Sequence, residues 1–288
     1  MFIYINGEIV RQEDAKISPF DHGYIYGLGV FETLRVYGNH PFLLDDHLSR
    51  LTSGLKELNI HFELTKESIL DILHRTLSSN GLQDAYVRIN VSAGHGEIGL
   101  QTEEYHNPTI IVFVKPLPSF QAQKQAIILD TTRNTPEGSF RLKSHHFLNN
   151  IYAKRELGND PNKEGIFLTR DGKVAEGITS NLFWFKDECF FTPALSTGIL
   201  SGITRAYLID VIRLLGYPLY EGEFTVDELQ GCDEIFITNS VQEIVPISCL
   251  NDHEFPGTRG VFTSKLMNIY KSHSHKLFSR KELKEGMI

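Results

Sequence analysis

The chain has 288 residues, enough for one large or two modest domains at roughly 150 residues each, and its 41% hydrophobic content supplies a sizeable core. Lys+Arg 28 against Asp+Glu 36 gives a net charge of −8, which leaves no basic field to hold a nucleic-acid backbone or an anionic bilayer. Cys189, Cys232 and Cys249 lie far apart, with no CxxC pair and no histidine at ligand spacing, so neither a disulfide framework nor a metal site is expected.

Met1 to Ile5 is a short apolar stretch followed almost at once by Glu8 and Arg11, which does not read as an export signal. The longest apolar runs, such as residues 110–114, fall far below the roughly 20 residues that cross a bilayer. The expectation is a soluble, cytoplasmic protein with no nucleic-acid or membrane partner.

Period-two patterning opens the chain. Residues 2–5 and 8–10 flank Asn6-Gly7, which tolerate positive φ, and this predicts a hairpin. A second β run over 30–37 turns at Gly38-Asn39 and returns through Phe42, Leu43 and Leu44. Leu48, Leu51, Leu55 and Leu58 then repeat at helical spacing, and Ile69, Leu70, Leu73 and Leu77 mark a second helix ending near Asn80-Gly81. Strands over 85–93 and 109–114 complete an α+β domain at 1–115. Pro116 and Pro118 break both helix and ladder bonding, so 116–123 is the expected linker.

The second domain, 124–288, opens with a strand over 126–133, a loop to Ser139, and residues 140–143 running into a helix over 144–157. A hairpin of 166–169 and 173–176 turns at Asp171-Gly172, and strands over 181–185 and 188–192 follow. A helix with the stripe Leu208, Val211, Ile212 and Leu215 stops at Gly216, ahead of strands over 233–239 and 243–247. The lysine-rich tail from Lys265 reads as a solvated terminal helix. The fold class is a two-domain α+β or α/β protein, with a smaller N-terminal domain and a larger, β-rich C-terminal one.

Several local features could build an anion site beside a reactive amine, and each has an ordinary structural reading as well. Ser201-Gly202-Ile203-Thr204 precedes the 203–215 helix, where unpaired N–H groups favour a phosphate, although a Gly turn and cap have the same pattern. Thr238-Asn239-Ser240 puts hydroxyls at a strand end or simply makes a turn. Arg50 lies off the leucine stripe, as a phosphate fork or as a solvated side chain. Lys143 stands at a strand-to-helix junction, where an amine can be desolvated, or on the surface. Glu176 ends a short strand, either as a solvated hairpin residue or as a carboxylate able to hold a proton on a heterocyclic nitrogen. Gly27-Leu28-Gly29 opens like a dinucleotide loop, but Glu32 stands where the third glycine belongs. His145 and His146 are adjacent and cannot chelate one metal together.

The stretches DHGYIYGLGVFET (21–33), HLSRL around Arg50, the Lys143 junction, AEGITSNLF (175–183), GILSGITR (198–205) and ITNSVQEIVPI (237–247) resemble, in order and spacing, the fold-type IV pyridoxal-phosphate enzymes of the class IV aminotransferase superfamily. The resemblance covers nearly the whole chain. It implies pyridoxal 5'-phosphate as cofactor, Lys143 as its covalent anchor and as acid and base, Glu176 facing the pyridine nitrogen, and a homodimer. It further implies a phosphate cup of Arg50, Ile203, Thr204 and Ser240, with Thr238 beside it.

The superfamily holds branched-chain aminotransferases, D-amino-acid aminotransferases and 4-amino-4-deoxychorismate lyases. D-amino-acid members carry an arginine where this chain has Ala93, ahead of Gly94, and branched-chain members carry a tyrosine where it has Leu148. The run over 133–157 most resembles aminodeoxychorismate lyases of the Gram-positive type, which implies release of pyruvate and 4-aminobenzoate for folate synthesis. In that reading Thr33 orients the departing group and Arg88 receives a substrate carboxylate. A class IV aminotransferase is the alternative, and a non-catalytic cofactor or small-molecule binding protein a remoter one.

Overall fold

A computed structural model describes residues 1–287, which gather into two units interleaved along the chain. Residues 1–118, 142–146 and 274–279 form the first unit, and the rest of the described chain forms the second.

The first unit is a six-stranded sheet with helices on it. Its elements are β1 (Phe2–Ile5), β2 (Glu8–Arg11), the short helix α1 (His22–Ile25), β3 (Gly29–Tyr37), β4 (His40–Pro41), α2 (Leu44–Glu57), α3 (Lys66–Asn80), β5 (Ala85–Ser92) and β6 (Thr109–Lys115). All pairings are antiparallel in the order β2-β1-β6-β5-β3-β4. Asn6 and Gly7 adopt φ of 46° and 104°, which closes the predicted hairpin. β5 alternates strictly: Ala85, Val87, Ile89 and Val91 are fully buried and pack with Leu51 and Leu55 of α2 and Ile69, Leu73 and Leu77 of α3. Each such aliphatic side chain contributes about 1.5–3 kcal/mol. Gly81, at φ 65°, stops α3. The expected return strand through Leu44 is cut short, because Leu43 turns to φ 56° and α2 starts at the next residue.

The second unit is a nine-stranded mixed sheet of β7 (Lys124–Ile128), β8 (Lys163–Leu168), β9 (Val174–Gly177), β10 (Asn181–Lys186), β11 (Cys189–Pro193), β12 (Leu219–Gly222), β13 (Glu234–Asn239), β14 (Glu243–Leu250) and β15 (His253–Glu254), in the order β12-β11-β10-β13-β14-β7-β8-β9 with β15 on β14. Helices α4 (Leu148–Leu157), α5 (Ile203–Leu214), α6 (Val226–Gln230) and α7 (Val261–His273) belong to the same unit. β7 ends before the predicted 133, because the Glu156 carboxylate takes the amides of Asp130 and Thr131 out of the ladder. The solvated tail helix is corrected as well: α7 buries Thr263, Leu266, Tyr270 and His273.

Two expectations about residues 142–157 are also corrected. The helix starts at Leu148, not Ser144, and the preceding segment, Leu142–His146, is grouped with the first unit, so Lys143 belongs there and not to the C-terminal domain.

Candidate active site

In the first unit, Lys143 sits on an added strand edge. The amide of Phe31 donates to the Lys143 carbonyl at 2.8 Å, the amide of His145 donates to the Gly29 carbonyl at 3.0 Å, and Val30 bridges Ser144 in antiparallel sense. These bonds to β3 explain why the segment is extended although its sequence suits a helix. Lys143 Nζ lies 4.5 Å from the Phe31 ring centroid, and the Arg88 guanidinium carbon lies 3.7 Å from the same centroid. His145 stacks on Phe31 as well, at 6.3 Å between centroids. Burial, reinforced by the Arg88 charge, pushes the His145 imidazole down to about 4, so the ring is neutral at ordinary pH.

β3 presents two different faces. Thr33 is the register partner of Arg88 and shares the Phe31 face, whereas Glu32 points the other way, toward α2. Strand alternation thus separates Thr33 from its neighbour Glu32 and leaves it with Phe31 and Arg88. Glu32 is fully buried and meets a pair of residues spaced i, i+3 on α2: His47 Nδ1 at 2.7 Å, and Arg50 through a fork, Nε to Oε1 and Nη2 to Oε2, both at 2.7 Å. Burial alone would raise the Glu32 carboxyl, but Arg50 and then His47 outweigh it and hold it down at about 2. Burial lowers the His47 imidazole against the opposing pull of Glu32. Arg50 is thus an anchored guanidinium, not a solvated one.

In the second unit, Glu176 is the next-to-last residue of β9 and is buried. Arg133 Nε donates to its Oε1 at 2.8 Å, and the Leu200 amide and Asn181 Nδ2 donate to its Oε2 at 3.0 and 3.3 Å. Asn181 also donates to the Leu200 carbonyl at 2.9 Å. Its Oδ1 packs against Gly202, where a Cβ would fall 1.9 Å away, so glycine is required at that position. Gly202 is the N-cap of α5 and makes no side-chain capping bond. Beside it the Thr204 and Ser240 hydroxyls meet at 3.3 Å, and Ile203 is buried in the first turn. Asn181 therefore ties the Glu176 carboxylate to the start of α5. The Thr238 hydroxyl donates to the Glu243 carbonyl at 2.8 Å.

Glu32, His47, Arg133 and Asn181 are missed by sequence reasoning. Glu32 leaves a local sign there, a carboxylate in the middle of an apolar strand, while His47 and Asn181 lie inside the HLSRL and AEGITSNLF stretches. Among the described residues no group of His, Cys, Asp and Glu could hold a metal ion, and no helix is long and apolar enough to cross a membrane.

Residues 29–250 match the family model for amino-transferase class IV. The aminodeoxychorismate lyase of Bacillus subtilis (strain 168) is 47% identical over 97% of this chain and 97% of its own length. Among solved structures, 4-amino-4-deoxychorismate lyase from Pseudomonas aeruginosa superposes with a TM-score of 0.83 at 28% identity, covering 93% of this chain and 98% of that one. The branched-chain aminotransferase from the thermophilic archaeon Thermoproteus uzoniensis, with norvaline, gives a TM-score of 0.85 at 29% identity, covering 98% and 96%.

Proposed function

The chain belongs to the class IV aminotransferases, and from that membership we propose a pyridoxal 5'-phosphate-dependent lyase that converts 4-amino-4-deoxychorismate to 4-aminobenzoate and pyruvate. The observation that carries this reading is the end-to-end similarity to the B. subtilis lyase. Ala93 and Leu148, which stand where the resemblance puts an arginine and a tyrosine in the dedicated transaminases, support it.

The residues present suit the cofactor. An ionised carboxylate offers about four lone-pair positions, and at Glu176 three are filled by Arg133, Leu200 and Asn181, which leaves one for a protonated ring nitrogen. The α5 N-terminus, with no side-chain cap and with the Thr204 and Ser240 hydroxyls beside it, suits a phosphate dianion. When bound, the cofactor withdraws electrons from the substrate carbon that carries the amine.

Each residue then has a task. Lys143 Nζ would hold the cofactor covalently, and its amine, once free, would remove the ring proton and return a proton to the departing enolpyruvate. Glu176 keeps a proton on the ring nitrogen. By the family resemblance, Arg50, held in place by Glu32, and the Ile203, Thr204 and Ser240 groups are the residues that would contact the phosphate. Thr33 orients the leaving enolpyruvate, and Arg88 takes a substrate carboxylate. The proposal includes a homodimer acting in the cytoplasm.

Supplying the purified protein with chorismate, an ammonia source and the partner synthase should release 4-aminobenzoate. Efficient amino transfer from D-alanine or a branched-chain amino acid to 2-oxoglutarate, with no 4-aminobenzoate formed, would make it an aminotransferase instead.

A further inference from the structure

We propose that Arg133 is a positioning residue whose charge, acting through Glu176, keeps the shared proton on the cofactor's ring nitrogen. The inference rests on the cofactor reading above. Glu176 and Arg133 are 4% and 8% exposed, so water stabilises neither charge; Arg133 is the cation in direct contact with Glu176, and Arg141 and Arg205 lie within electrostatic reach of the same carboxylate. A proton between a buried carboxylate and a pyridine nitrogen has two resting places. Burial favours the neutral pair, carboxylic acid with pyridine, and a fixed cation on the carboxylate favours the ionic pair, carboxylate with pyridinium.

Arg133 is built to be that fixed cation. Its Nε bonds Glu176 Oε1, and its Nη1 is held by three neutral oxygens, Asn149 Oδ1 at 2.7 Å and the Oδ1 atoms of Asn134 and Asn150 at 3.4 Å. Its guanidinium lies 5.2 Å from the Phe167 ring centroid. Neutral amide oxygens orient the guanidinium without cancelling its charge, so its ion pair is made with Glu176. The Leu200 amide and Asn181 hold the other oxygen, which fixes the carboxylate in rotation as well as in charge.

The test uses holoenzyme reconstituted with cofactor carrying 15N at the ring position, and reads the protonation of that nitrogen directly from its chemical shift. Wild type should show a pyridinium nitrogen, and Glu176→Gln supplies the neutral reference. Arg133→Gln should move the resonance at least halfway to that reference with cofactor content unchanged and turnover down at least tenfold. Arg133→Lys, which keeps the charge, should stay near wild type. If Arg133→Gln does not fold, Asn149→Asp decides, because a carboxylate beside Nη1 should draw off the guanidinium charge and shift the resonance the same way. A wild-type resonance in whichever of these two variants loads would show Arg133 to be structural and overturn the inference alone. Failure of wild type to take up the labelled cofactor would overturn the cofactor reading and the inference with it.

Discussion

Glu32 is a charge placed where an apolar side chain would pack, and its depressed carboxyl makes it a contributor to acid stability. Its folded value of about 2 lies below the ordinary 4.5, so the stabilisation is fully present above about pH 4.5 and fades as pH falls toward 2. The size is about 3 kcal/mol. Glu32→Gln should lower stability near neutral pH by about that much, since it leaves His47 and Arg50 around a neutral group. Urea unfolding across pH should show the wild-type acid slope flattened in the variant; an unchanged slope would mean that Glu32 is not the titrating group. Lys143 carries the most consequential assignment. Borohydride reduction of the loaded enzyme followed by peptide mapping should label Lys143, and a label on another lysine would overturn the site. Individual chemistry-bearing residues in quoted motifs are legible in sequence, but their supports are not. Nothing around Arg133 announces that it faces Glu176, because the two meet through the fold across 43 positions of chain.

Elements were legible where the signal is local. The Asn6-Gly7 hairpin, the leucine stripe of α2 and the Gly81 stop of α3 follow from φ tolerance and periodicity within a few residues. The 142–146 segment was not, because its conformation is decided by two hydrogen bonds to β3, more than a hundred residues away along the chain. The start of α5 makes a sharper test. A methyl group at Gly202 would collide with Asn181 Oδ1, so Gly202→Ala must push Asn181 away from both Glu176 and the helix start. The expected cost is about 1–3 kcal/mol of stability, together with faster loss of cofactor on dialysis than Glu176→Gln shows. A variant that retains cofactor like wild type would separate Asn181 from the phosphate end of the site.

At the scale of the whole molecule, the sequence suggests a cut between two consecutive domains near residues 116–123, and the proline pair there is a sound local reason for it. The contacts describe something less linear, since the first unit reclaims residues 142–146 and 274–279. No composition shift or breaker marks those returns, because short segments that add to an existing sheet or strap look like any other stretch of chain. The homodimer is tested by sedimentation, which should report about twice the 32.7 kDa chain. A fully active monomer would remove that claim.

The 274–279 return has a consequence for how the protein is made. The amides of Leu43 and Asp45, at the entrance to α2, donate to the carbonyls of Leu277 and Phe278. A ribosome that has finished the first 118 residues has therefore not finished the first unit, which still lacks the segment bearing Lys143 and the strap that closes on α2. During synthesis the first unit therefore stays incomplete until residues 274–279 have emerged, and over that interval its uncovered surfaces are open to mispairing and to chaperones.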